Sequence, residues 1–189
     1  MSFSDDERHI FAAMRRRRIV FVRDPLDSDE ANRVIAELLH LEERGPLDEV
    51  TLRVSTRRAE PRAALAVYDT MMAMLSPLAT VCAGVAAGGA VLLVAAGAPG
   101  RRSALPSAQF LLEPVVERLQ GHPGNVAAQA QRLAALQAHF TTLLARHTGQ
   151  PEPRIQDDTD RRLALGAEEA RAYGLIDRIA GPATDRARP

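Results

Sequence analysis

The sequence has no tryptophan, no lysine and a single cysteine, and aromatic residues make up only 4% of its 189 positions. With so few rings, a surface that stacks bases or single strands is excluded. All 24 basic residues are arginine, so chemistry that needs a lysine amine has no residue to perform it. The all-arginine set reads as a bias toward Arg and Ala codons. Cys82 alone cannot close an internal disulfide, which fits a reducing compartment. Excess charge is absent too: 24 acidic residues balance 24 arginines, which excludes a generally basic nucleic-acid binder. There is no GxxxxGKS, GxSxG or CxxC pattern. His9, His40, His122, His139 and His147 include no i, i+4 pair, so neither a cofactor nor a metal is expected.

What is present suffices for one domain. Hydrophobic residues reach 46%, and a chain of this length can bury about 70% of its unfolded surface without disulfide or metal support. The N-terminal Met1–Asp6 is acidic and lacks a signal-peptide core, so a cytoplasmic location is expected. Leu78–Ala98 runs 21 residues without a charge, long enough to span a bilayer. It contains Gly84, Gly88, Gly89 and Gly97, however, and an Ala-Gly centre. The better reading is a buried strand over Leu78–Ala83, a glycine turn, and a buried helix from Gly88 to Ala96, with no membrane association.

Strand and helix patterns alternate along the chain. Ile19–Val22 reads as a strand stopped by Asp24-Pro25, and Ser28 or Asp29 could cap a helix striped by Val34, Ile35, Leu38, Leu39 and Leu41. Val50–Val54 alternates as a second strand, and Pro61 opens a helix through Leu65, Val67, Met71 and Met74. Phe110–Leu112 reads as a strand, and 124–147 as a long helix with Val126, Leu133, Leu136, Phe140 and Leu144 on one side. The 157–160 run reads as a solvated acidic turn. Ala167 starts a short helix that Gly174 ends, before strand-like Leu175-Ile176. This predicts an α/β single domain with mainly parallel pairing.

The stretch Cys82–Ala90 is the chemically suggestive one. A strand that ends in glycines and turns at once into a helix offers free N–H groups, a corner able to support a nucleophile and an oxyanion. Here that corner carries no Ser, Thr or Cys side chain.

From Ile10 to Ile179 the chain resembles the proteolytic subunit of the Clp protease, the ClpP family. Matched blocks are Tyr68-Asp69-Thr70-Met71, Ala95-Ala96-Gly97-Ala98, Ala104-Leu105-Pro106, His147-Thr148-Gly149-Gln150, Asp158-Thr159-Asp160-Arg161, Ala167-Glu168-Glu169-Ala170 and Tyr173-Gly174-Leu175-Ile176-Asp177. The resemblance implies a crotonase-like αβ superhelix, a ClpP-like domain over 10–180 with a protruding handle helix. It also implies a truncated axial segment over 1–9 and a disordered tail over 181–189. It implies a Ser-His-Asp triad as well, but the nucleophile position is Gly88, the base position is Glu113, and only the acid, Asp158, is retained. The oxyanion loop aligns with Arg57-Arg58-Ala59, so Arg58, Ala59 and Gly89 are vestigial oxyanion positions. The substrate-aligning glycines have become Glu117 and Arg118.

Glycine supplies no nucleophile, and a lone carboxylate activates water only weakly. The resemblance therefore implies a pseudo-peptidase with a structural or regulatory role. Its expected assembly is a homo-oligomer, a heptameric and possibly stacked ring, or a mixed ring with an active ClpP paralogue. Docking of a Clp ATPase should be weakened, because the family's aromatic pocket aligns with Thr51, Arg53 and Ala73. Stacking should be weakened by Gln156 and Asp157 at the ring-bridging charged pair. The alternative is a crotonase-fold enzyme using Glu113, Asp158 and the Gly88-Gly89 backbone. The resemblance implies that Glu113 lies close to Asp158, so an arginine, Arg58 or Arg118, is expected between or beside them and the cleft is expected to be largely filled.

Overall fold

The computed structural model describes residues 5–116 and 126–181. In chain order the elements are α1 (Asp5–Arg16), β1 (Ile19–Val22), α2 (Ser28–Arg44), β2 (Val50–Thr56), α3 (Pro61–Ala73), β3 (Leu78–Ala87) and α4 (Gly89–Ala95). There follow β4 (Arg102–Ala104), β5 (Gln109–Leu111), α5 (Val126–Thr148), α6 (Glu152–Asp160), β6 (Ala164–Gly166), α7 (Ala167–Tyr173) and β7 (Arg178–Ile179). Strands β1, β2, β3, β4 and β7 lie side by side in that order, all parallel. β3 changes neighbour along its length: Thr80–Cys82 pairs with β4, and Val85–Ala87 pairs with β5. β6 closes the far side antiparallel to β5.

The period-two pattern of β1 and β2 turns Val20, Val22, Leu52 and Val54 inward, each at most 1% exposed. The stripes of α2 and α3, through Val34, Leu38, Leu41, Ala64, Val67 and Met71, bury against the same core. Every residue of α4 is buried. The long uncharged stretch is thus β3 and α4, apolar because protein surrounds it. Among the described residues no helix is long and apolar enough to cross a membrane.

Several expectations need correction. The cap of α2 is Asp27, whose carboxylate accepts from Glu30 N at 3.0 Å, not Ser28 or Asp29. β3 runs to Ala87 rather than Ala83, because β5 gives its second half a partner. The 157–160 run is not a solvated turn: it is the end of α6, and it buries Asp158 and Thr159. Leu175 and Ile176 are buried but not a strand; the strand is Arg178–Ile179, against β4. From Asp5 the chain is already helical, so 5–9 are part of α1. Residues 182–189, and with them nearly all of the expected tail, lie outside the described residues, as do Glu117 and Arg118.

One buried charge cluster ties β1 to α2. Glu30, 7% exposed, accepts from the guanidinium groups of Arg23 and Arg33 and from Arg23 N. Burial alone would raise its pKa, but those hydrogen bonds reverse the effect and hold it at about 2, against an ordinary 4.5. A depressed folded pKa gives stability that is complete above the unfolded value and is lost as pH falls from about 4.5 toward 2. The loss is on the order of 3 kcal/mol. Asp24 and Asp177 are shifted in the same direction. Denaturant midpoints measured from pH 6 to pH 2.5 should fall steeply, and Glu30→Gln, less stable at pH 6, should fall less.

Candidate functional site

Open parallel sheets place ligands beyond the carboxyl ends of their strands. Here β1, β2, β3 and β5 end together, leading into Asp24, Arg57–Ala59, Gly88 and Glu113. Gly88 sits between β3 and α4 with φ 53° and ψ −124°, a conformation that costs any other residue about 1–3 kcal/mol. Its N–H donates to the Leu111 carbonyl at 3.0 Å, and its carbonyl accepts from Val91 N at 3.1 Å. A Cβ at Gly88 would meet nothing within 4 Å, so this corner opens onto free space and carries no side chain.

Backbone bonds bring the other two positions alongside. Leu112 N donates to Leu163 O, and Leu163 N donates to Asp158 O, both at 2.9 Å. Glu113, next to Leu112, is half-buried, and among the described residues it forms neither a hydrogen bond nor an ion pair. Asp158 is 5% exposed and fully engaged. Its Oδ1 accepts from Arg161 at 2.6 Å, its Oδ2 accepts from the Tyr173 hydroxyl at 3.0 Å, and Arg154 Nε lies 3.6 Å from Oδ2. Burial first, and then the bond to Asp158, push the Tyr173 hydroxyl well above its ordinary pKa.

The expected arginine beside Asp158 therefore exists, but it is neither Arg58 nor a bridge to Glu113. Arg161 and Arg154 come from the end and the first turn of α6. Arg58 turns instead to Asp24, its Nη2 3.1 Å from Oδ2. The cause is topological: β1 and β2 are parallel neighbours, so the residue after β1 meets the residues after β2.

Asp24 also binds the backbone of the 57–59 loop. Its Oδ1 accepts from Arg57 N at 3.0 Å, Arg58 N at 2.8 Å and the Thr56 hydroxyl at 3.0 Å. Burial would raise the Asp24 pKa, but the bonds from Arg58, Thr56 and Arg57 outweigh it and lower it. On the other side of the loop, Leu26 N donates to Arg58 O and Glu60 N to Leu26 O, both at 2.8 Å. Two of the three N–H groups at 57–59 are thus bonded to a carboxylate that would repel a second anion.

The Clp protease family model matches residues 4–183. The chain belongs to the Clp protease family. That is a serine protease family whose members form ring oligomers, and the mixed α/β sheet described above is consistent with it. Within this Clp protease fold the backbone bonds just described bring Gly88, Glu113 and Asp158 to one end of the sheet. Cys82, deep in β3, is no substitute nucleophile, since burial pushes its thiol up to about 12.

Two residues here escaped the sequence reading. Asp24 was read only as part of a strand stop; its signal was the adjacency of two parallel strand ends. Tyr173 appeared only inside a matched block, and nothing at single-residue level tied it to Asp158.

Proposed function

We propose that this member of the Clp protease family is a non-catalytic subunit that contributes to a ring as a structural or regulatory component. The observation that carries the reading is Gly88, where the strand-to-helix corner has room for a side chain and supplies none. Acyl transfer on this scaffold needs a hydroxyl beside an imidazole and free donors for the developing oxyanion. Gly88, Glu113 and the Asp24-bonded loop supply none of the three. Heptamer formation, ring stacking and mixing with an active paralogue belong to the same proposal. α5 supports assembly: at 23 residues it extends about 34 Å, and half-buried Leu133 and Leu136 lie among exposed alanines.

The purified protein is expected to give no hydrolysis of short fluorogenic peptides and no labelling by a fluorophosphonate. Labelling that maps to any serine overturns the reading. The Gly88→Ser/Glu113→His variant is expected to stay at least about a hundred-fold below an active member, because an oxyanion donor is typically worth 10²–10³ in rate. Light scattering should report a multimer, and a mass near the 20.5 kDa protomer would remove the ring component.

A second reading, an acid–base enzyme of the crotonase type, draws on Glu113, unpaired among the described residues. Asp158 weighs against its two-carboxylate form, since both carboxylate oxygens are already bonded. Solvent-deuterium exchange into acyl-thioester α-carbons, lost in Glu113→Gln, would favour it.

A further inference from the structure

At the opposite end of the sheet from Gly88, a cleft of about 440 Å³ opens between the C-terminal ends of α3, α4 and α5. This is within the range of small-molecule sites, ~300–1,000 Å³. Three of the chain's five methionines, Met71, Met72 and Met74, line it together with Leu75 and Leu78. Unbranched thioethers make a wall that adapts to an apolar guest. Met72 and Leu75 stand at the solvent side, 45% and 74% exposed. None of the lining residues is acidic, and the ionisable ones are Arg102, Arg146 and His147.

These cations differ in what they can do. Arg102 is held by Asp177 and by three carbonyls, so it is structural. His147 directs Nε2 at the Tyr68 hydroxyl, 3.0 Å away, and burial, then Arg102, then Arg146 lower its pKa. Arg146 is exposed and meets the Tyr68 hydroxyl, and among the described residues no carboxylate forms an ion pair with it. Ser76, 3% exposed in the same wall, has a hydroxyl with no hydrogen-bond partner among the described residues.

We propose that this cleft binds an apolar-tailed carboxylate, the chain lying along the methionines and the carboxylate meeting Arg146 at the rim. The site is remote from Gly88 and does not depend on whether the subunit is catalytic. Glu42 Oε1 is taken up by Leu75 N and Ser76 N at the edge of the wall, and exposed Arg146 is what selects an anion over a neutral or cationic amphiphile.

The test uses the full chain labelled with ¹³C-methyl methionine and titrated with decanoate below its micellar concentration. The Met71, Met72 and Met74 signals should shift saturably, while Met14, which does not line the cleft, stays in place. Decanol, with the same tail and no charge, should bind about five-fold more weakly, as should Arg146→Gln, the scale of one exposed ion pair. Leu75→Glu, at a position exposed enough to spare the fold, should weaken decanoate further. The proposal is overturned if the three signals do not move or if Met14 moves as they do. Equal binding of decanol and decanoate, or full affinity in Arg146→Gln, overturns it as well.

Discussion

Replacing Arg102 with methionine should lower the unfolding free energy by about 3–5 kcal/mol, the usual cost of breaking a largely buried ion pair from one side. Arg102 is 13% exposed and Asp177 22%, and the guanidinium meets the carboxylate through Nη2 at 2.5 Å and Nε at 3.1 Å. Its Nη1 donates to the carbonyls of His147 and Gly174, both at 2.8 Å, and of Ala95 at 3.4 Å. One side chain therefore satisfies the ends of α4, α5 and α7, where carbonyls have no partner within their own helix. The Arg102 hydrogen bonds first, against a smaller opposing effect of burial, hold Asp177 below its ordinary pKa. Arg102→Met leaves three carbonyls unanswered and the carboxylate with only the backbone N–H groups of residues 100 and 102. Arg102→Met/Asp177→Leu should cost less than Arg102→Met alone, because the stranded charge is gone. Urea midpoints with unchanged slopes would measure both, and a double variant costing the full sum would show that the pair is not coupled.

Gly174→Ala should be nearly as damaging, about 3 kcal/mol, while Gly88→Ala should cost about 1 kcal/mol. Both glycines have positive φ, 92° and 53°. They differ in what a methyl group would meet. At Gly88 there is nothing within 4 Å. At Gly174 the methyl would collide with the carbonyl oxygen of Thr148, and Thr148 C would be 3.2 Å away. That neighbour is backbone at the end of α5 and cannot swing aside, so α7 and α5 must separate. Thermal unfolding of the two variants in parallel tests this. Equal losses would mean that backbone strain alone, and not the Thr148 contact, sets the cost at Gly174.

Some features of this chain were fixed by local patterns. The alternation at Ile19–Val22 and Val50–Val54, Pro61 at a helix start and Gly174 at a helix end each rest on interactions within a few residues, and each appears where expected. The assignment of Gly88, Glu113 and Asp158 to triad positions has a different basis, the order of the matched blocks, and belongs to the proposed function. Tertiary structure decided everything that depends on which strand ends are neighbours. β4 and β6 have three residues each, too few for a period to show, and they exist because β3 and β5 offer them open edges. Asp158 lies in a polar sequence that read as a solvated turn, yet Tyr173, fifteen residues on, closes over it. Arg58 was expected at Asp158 and found at Asp24, because parallel pairing of β1 with β2 sets the two strand ends side by side. A side chain's type is written in the sequence. Its partner is chosen by sheet order, which no stretch of a few residues contains.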